Sequence, residues 1–380
     1  MKIDSYLFIT IIYFVIFISG YFLSKIVNFQ SETNRFESID GFRGLLATGV
    51  FIHHSIVWYN YIQFEKWEIP NNYLGIHLGE SSVAFFFMIT SFLFTNKLLN
   101  SKKQDLQFWK KILFSRIFRL VPLYFLIITF CILFVLTIDK FILNSSFYVF
   151  FIKCLKWYSF TILGYTEIST NISIGRMLSG VTWSLPYEWL FYFSLPLIGL
   201  ILRKNKNIFA ITISILFILF YLKINQIRLT HLISFLGGMI PAFILYFKPN
   251  INLNKNIYSF IAVFCIIISF SYNTSNDNYF SKLYLVVTFT LIALKTDIFG
   301  ILKTNYLKYI GEISYSTYLI HGILLFSTFY FIGFKNIKTL NTYTYTIIVS
   351  VISILLIFTS TITFYYIEKP FMKLYYKHFK

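Results

Sequence analysis

The chain is predicted to be all-α: a polytopic transmembrane helical bundle of about eleven spans. Hydrophobic residues make up 57% of its 380 residues and charged residues only 13%, whereas soluble domains are nearer half apolar and a quarter charged. Mean hydropathy is +0.69. Apolar runs of span length recur along the whole sequence, and crossing a ~30 Å hydrocarbon core takes about 20 such residues in a helix.

The first run extends from Tyr6 to about Val27, with Lys2 and Asp4 before it and Lys25 at its end. A cleaved signal peptide would have a more basic start, a shorter core and a small-x-small exit, so this run is expected to be a retained span. The remaining spans are predicted near 43–60, 81–97, 118–138, 183–202, 208–222, 230–247, 257–272, 281–296, 312–333 and 343–365. One further apolar stretch, 147–165, carries Lys153 and Lys156 in its middle. If it stays out of the membrane, 22 of the 33 Lys and Arg residues fall on one face; if it crosses, they divide almost evenly. The positive-inside rule selects the first arrangement. The expected topology is N-terminus out and C-terminus cytoplasmic, in a cell (cytoplasmic or inner) membrane. It also accounts for the net charge of +18 without nucleic acid. Cys131, Cys154 and Cys265 lie far apart in or beside apolar segments and suggest neither a disulfide framework nor a metal site.

Polar residues then stand out where apolar ones would be cheaper. The stretch 35–59 opens with Arg35, Glu37, Asp40 and Arg43, places Gly41 and Gly44 around the last arginine, and carries His53 and His54 within an apolar run. At about 1.5 Å per residue, Arg43 and His54 are roughly 16 Å apart along a helix, about half of a ~30 Å bilayer core. Ionisable groups at such depth are functional candidates. The basic segment 98–117 precedes Arg116 and Arg119, one helical turn apart on a shared face. It can be an interfacial helix or a grip for phosphates, which guanidiniums hold in a fork geometry. Glu188 lies one turn inside the span that begins at TWSLPYEWLFYF. Glu312 and His321 belong to IGEISYSTYLIH, and Glu368 and Lys369 sit at a boundary where Pro370 is expected to end the helix.

Taken in order, these residues resemble the membrane-bound acyltransferase family 3. Arg35, Ile39, Asp40, Gly41, Arg43 and Gly44 match its R-x-x-x-I-D-G-x-R-G opening, and ten residues separate Arg43 from His54 as in that family. Arg116 and Arg119 match R-x-x-R, while Trp183, Ser184, Leu185, Glu188, Phe191 and Tyr192 match W-S-L-x-x-E-x-x-F-Y. Ser314, Tyr315, Tyr318, Leu319 and His321 match S-Y-x-x-Y-L-x-H, and Glu368 to Phe371 match E-K-P-F. One motif departs: Ser82, Ala84 and Ser91 stand where the family has Gly, Asp and Gly, so its carboxylate is lost at Ala84.

The resemblance implies a ten-span acyltransferase core over residues 35–380, joined to an N-terminal transmembrane anchor and linker, residues 1–34. It implies transfer of an acyl group, most often acetyl, from cytoplasmic acetyl-CoA to a hydroxyl of an extracytoplasmic or lipid-linked carbohydrate, with no metal. A desolvated, neutral imidazole suits a general base or an acyl-carrying nucleophile, and the ten-residue spacing assigns that chemistry to His54, with His53 left to packing. Arg116 and Arg119 are expected to bind coenzyme A phosphates at the cytoplasmic mouth. Arg43, with Asp40 as ion-pair partner, is expected to complete that mouth or polarise the thioester. Glu188, toward the outer half, either orients the acceptor or bonds a neighbouring span. His321, Tyr315 and Trp183 are expected to support the site. Some relatives carry an appended extracytoplasmic esterase-like domain, which raises the alternative of a separate partner protein there. The competing class, a transporter or flippase within the lipid bilayer, is disfavoured by the lack of inverted repeats or paired broken helices.

Overall fold

A computed structural model describes residues 5–30, 36–68, 73–143, 145–202, 206–272 and 278–378. Arg35 of the opening motif, and Arg203, Lys204 and Lys380 of the charge count, lie outside the described residues. The described chain is helical throughout: α1 (Tyr6–Ile26), α2 (Glu37–Phe64), α3 (Tyr73–Asn100), α4 (Leu106–Ile138), α5 (Phe147–Tyr158), α6 (Ile174–Met177), α7 (Leu185–Ile201) and α8 (Ile208–Ile224). Then come α9 (Leu229–Phe247), α10 (Asn256–Ser271), α11 (Tyr279–Ala293), α12 (Asn305–Glu312), α13 (Ser314–Ile332), α14 (Phe334–Lys338), α15 (Thr342–Thr363) and α16 (Lys369–His378).

Each of the eleven predicted spans corresponds to a helix, the shortest of them the 15-residue α11. Among the described residues, six helical segments are long and apolar enough to cross a membrane, namely α1, α3, α4, α9, α13 and the continuous run Thr342–His378. The helices α8, α10 and α11 are apolar but shorter. These helices make the chain a multi-pass membrane protein. The stretch at 147–165 forms only the 12-residue α5, about 18 Å long at 1.5 Å per residue, too short for a ~30 Å core. Helix starts follow capping chemistry: Ser5 accepts from the Phe8 amide, Asp105 from Phe108 at 2.9 Å and Asn207 from Ala210 at 3.0 Å. Pro370 does not end its helix. A π-helical turn, Phe364–Glu368, widens the backbone just before it, and Pro370 becomes the second residue of α16, where its missing N–H is tolerated.

The chain divides into two compact units, one of residues 1–96 and 229–361 and one of residues 97–228 and 362–380. In the first, α2 is the central helix and packs against α12, α13, α11, α1 and α14. Its approach to α12 and to the 3₁₀ turn Ile301–Lys303 just before it is a backbone-to-backbone contact. A Cβ on Gly41 would overlap the Leu302 carbonyl oxygen, one on Gly44 would meet the Leu307 carbonyl at 2.5 Å, and one on Gly311 would overlap the Asp40 carbonyl. Small residues let membrane helices come this close. Hydroxyls buried in this unit return their hydrogen bonds to the previous turn, as Thr48 does to Gly44 at 2.9 Å and Ser55 to Phe51 at 2.9 Å, so they can be carried in apolar surroundings.

In the second unit α4 is the hub, contacting α5, α6, α8, α16 and the π turn. Tyr124 donates to the Trp157 carbonyl at 2.8 Å, which ties α5 to α4. Tyr375 donates to the Lys111 carbonyl at 3.0 Å, which ties α16 to it. Helices α7 and α8 form a hairpin closed by stacking of Phe193 on Phe217, 4.0 Å between centroids.

Candidate functional site

The first unit places a pair of histidines face to face. Helix α2 is continuous from Glu37 to Phe64, so the eleven-residue interval from Arg43 to His54 is a true helical rise. Eleven steps of about 100° bring Arg43 within about 20° of His54 around the axis, whereas His53 is about 80° from Arg43. The ten-residue gap thus puts one cation and one imidazole on a single face, three turns apart.

His54 is half-buried, and His321 on α13 is fully buried. Nδ1 of His54 lies 3.0 Å from Nε2 of His321, whose Nδ1 lies 3.1 Å from the Thr317 carbonyl. A carbonyl only accepts, so Nδ1 of His321 carries its proton. In the neutral ring Nε2 is then an acceptor, and Nδ1 of His54 must donate to it. This relay leaves Nε2 of His54 as the nitrogen with the lone pair. Aromatic edges enclose His321, with Phe51 and Tyr318 at centroid distances of 6.4 and 6.2 Å.

His53 does something else. Its Nδ1 donates to the Gly75 carbonyl at 2.7 Å, and its ring lies against Gly79, where a Cβ would come within 2.6 Å. It locks α2 to α3. Asp40 and Arg43 are half-buried in the first two turns of α2, and Tyr315 is half-buried in the first turn of α13. Ala84, at the position of the family acid, is 2% exposed. Ser91 has found a role in place of glycine, for its hydroxyl donates to the Phe235 carbonyl of α9.

The second unit gathers another set. Tyr192 donates to Oε2 of Glu188 at 3.1 Å, one turn apart on α7, and its hydroxyl is also hydrogen-bonded to Arg116 of α4. Arg119 lies close enough to Arg116 for their charges to interact, and so does Lys97. Glu188 and Arg116, which the sequence placed toward opposite membrane faces, therefore share one phenol. Trp183 lies in the 3₁₀ turn Val181–Ser184, 42% exposed, with its ring against Tyr187. Sequence reasoning treated Tyr192 as a motif letter only. The signal for its role was the four-residue spacing from Glu188, which puts both on one helix face.

Many apolar helices with buried polar clusters of this kind define a membrane protein with chemistry inside its helical bundle. The acyltransferase-domain model of acyltransferase family 3 matches residues 36–363, and the chain belongs to that family. No curated protein and no solved structure matches the chain significantly.

Proposed function

We propose that this membrane acyltransferase moves an acetyl group from cytoplasmic acetyl-CoA to a hydroxyl of an extracytoplasmic or lipid-linked carbohydrate. The observation that carries the reading is the His54–His321–Thr317 hydrogen-bond relay, which points to Nε2 of His54 as the base on the face shared with Arg43. Family membership supports the reaction class.

In this reading Nε2 takes the proton of the acceptor hydroxyl as its oxygen attacks the thioester carbonyl carbon. The adduct then breaks its C–S bond, and the departing thiolate recovers the proton from Nε2, leaving an ester, free thiol and neutral imidazole. The same lone pair also serves a two-step route in which His54 itself carries the acyl group, and a burst of free thiol before acceptor is added distinguishes that route. Arg43, three helical turns from His54, supplies positive charge to the phosphate-bearing part of the donor and not to the reacting carbonyl. Arg116 and Arg119 bind the donor's phosphates, with Glu188 and Tyr192 fixing the Arg116 guanidinium. The charge asymmetry of the loops favours a cytoplasmic donor side and an outward acceptor side.

Mass spectrometry of surface glycans from a deletion strain, complemented in turn with wild type, His54→Ala and His53→Ala, tests the proposal. Wild type restores an acetyl ester and His54→Ala does not. If His54→Ala kept full transfer while His53→Ala abolished it, the assignment would fail. If the purified protein left acetyl-CoA unconsumed with every glycan offered and the deletion changed no ester, the reaction itself would be wrong.

A further inference from the structure

The N-terminal end of α2 opens into a cavity of about 270 Å³ that neither the motifs nor the reaction above employs. Its walls come entirely from the first unit. They include Glu37 and Ser38 of α2, Asn252 and Asn254 from the loop between α9 and α10, and Lys295 and Lys303 from the segment after α11.

Ser38 is only 4% exposed, yet it lines the cavity and its hydroxyl makes no hydrogen bond among the described residues. The residue is buried but its hydroxyl oxygen is reached from the cavity, so a ligand held there can pair with it. The helix begins at the same point: Phe36 is its N-cap and supplies no side-chain acceptor, and its carbonyl takes the amides of Ile39 and Asp40, which leaves those of Glu37 and Ser38 and the positive dipole end of a 28-residue helix there.

The charges around it are sorted. Glu37 is held by Lys308 at 3.6 Å and Lys303 by Asp297 at 3.0 Å, while Lys295 is exposed and forms no ion pair among the described residues. Backbone amides, a hydroxyl, amide side chains and an ammonium make a set rich in donors, with one uncompensated positive charge. Such a set matches an anion with several acceptor oxygens arranged in three dimensions. A carboxylate offers two oxygens in a plane, and a phosphate monoester offers three around a tetrahedral centre with greater charge. Ser38 lies about 160° around α2 from His54, so this cavity is separate from the acyl-transfer face.

We propose that the cavity is a binding site for a phosphate monoester, supplied by a lipid headgroup at the membrane surface or by a soluble phosphorylated molecule. The test titrates purified detergent-solubilised protein with inorganic phosphate and with short-chain phosphatidic acid, with phosphatidylcholine as the zwitterionic control, and follows binding by calorimetry. Wild type is expected to bind inorganic phosphate and phosphatidic acid and not the control. Lys295→Glu should bind at least about tenfold more weakly, since it reverses a charge-assisted contact, and Ser38→Ala several-fold more weakly. Lys295 is exposed, so its replacement leaves folding intact. Tighter binding of phosphatidic acid than of phosphate identifies the lipid source, and equal binding identifies the soluble one. Binding of neither probe by wild type, or equal binding by wild type and both variants, overturns the proposal whether or not the protein transfers acetyl groups.

Discussion

His321→Ala removes the acceptor that fixes the Nδ1 proton of His54, and with it the tautomer that leaves Nε2 free. The contact is 3.0 Å long and His321 is fully buried, so water does not replace it without a cavity opening first. An unmade hydrogen bond at a buried donor costs about 1–3 kcal/mol. At about 1.36 kcal/mol per tenfold in rate, that is a roughly 5- to 150-fold fall in kcat. Loss of the proposed base, in His54→Ala, should cost more, on the order of 10²–10⁴-fold. His321→Gln is the informative companion: its side-chain amide oxygen can reach the position of Nε2 and accept from His54, so it should recover much of the loss, whereas a merely space-filling role would be rescued as well by leucine. The assay is acetyl transfer by purified protein at saturating acetyl-CoA, with thermal unfolding measured alongside to separate lost fold from lost orientation. If His321→Ala turned over within twofold of wild type while His54→Ala was dead, or if leucine rescued as well as glutamine, the relay would have no part in catalysis.

Tyr192→Phe deletes the hydroxyl that joins Glu188 to Arg116; KM for acetyl-CoA should rise several-fold with kcat changed less, and an unchanged KM would remove Tyr192 from the donor site. Gly41→Ala and Gly311→Ala each drive a methyl into a carbonyl of the opposing backbone. The helix propensity gained, about 1 kcal/mol, is smaller than an overpacking cost of typically 1–3 kcal/mol or more, so both should unfold at lower temperature in detergent. Gly20→Ala meets only the flexible end of Ile310 at 2.7 Å and should behave like wild type; equal melting of all three would refute the close-approach argument. In the connection between α5 and α6, partial burial and then a hydrogen bond to Glu167 push the Tyr165 phenol up to about 12. Because this folded value exceeds the usual value of about 10, its contribution to stability is complete below pH ~10 and is lost as pH rises toward 12. Spectroscopic titration of tyrosinate should lose one ionisation near pH 12 in Tyr165→Phe relative to wild type.

Much of the fold was legible because membrane crossing forces a simple code. Each of the eleven apolar runs became a helix of 15 residues or more, and the paired lysines in 147–165 marked the run that gave only 12, because two ammonium groups in mid-span are expensive. The ends were less legible. Pro370 normally stops a helix, but a π turn over Phe364–Glu368 lets helical backbone continue past it, and that turn depends on tertiary packing that no local pattern encodes. In the candidate site, the helical interval between Arg43 and His54 was legible for the same reason, being a one-dimensional property of one helix. The relay to His321 was not, since it joins residues 267 positions apart. Nor was the coupling of Glu188 to Arg116, because one-dimensional depth counting assigns each residue a height on its own helix and is blind to which side chains turn toward each other.

The opening motif shows how chemistry and packing are interleaved in one stretch. Its glycines look like companions of the charged residues, yet Gly41 and Gly44 lie on the side of α2 that meets α12 and the 3₁₀ turn before it, where any Cβ would collide with backbone carbonyls. Arg43 falls between them in sequence but points with His54, about 20° away around the helix. The reciprocal contact, Gly311 against the Asp40 carbonyl, pins the backbone of this turn from the opposite helix. Two packed backbones have no flexible side chain between them to absorb a shift, so the height and rotation of α2, and with them the register of Arg43 and His54, are fixed by the absence of three Cβ atoms. A larger residue at any of these glycines should therefore disturb transfer even where the protein still folds, and it would do so without touching a reacting group.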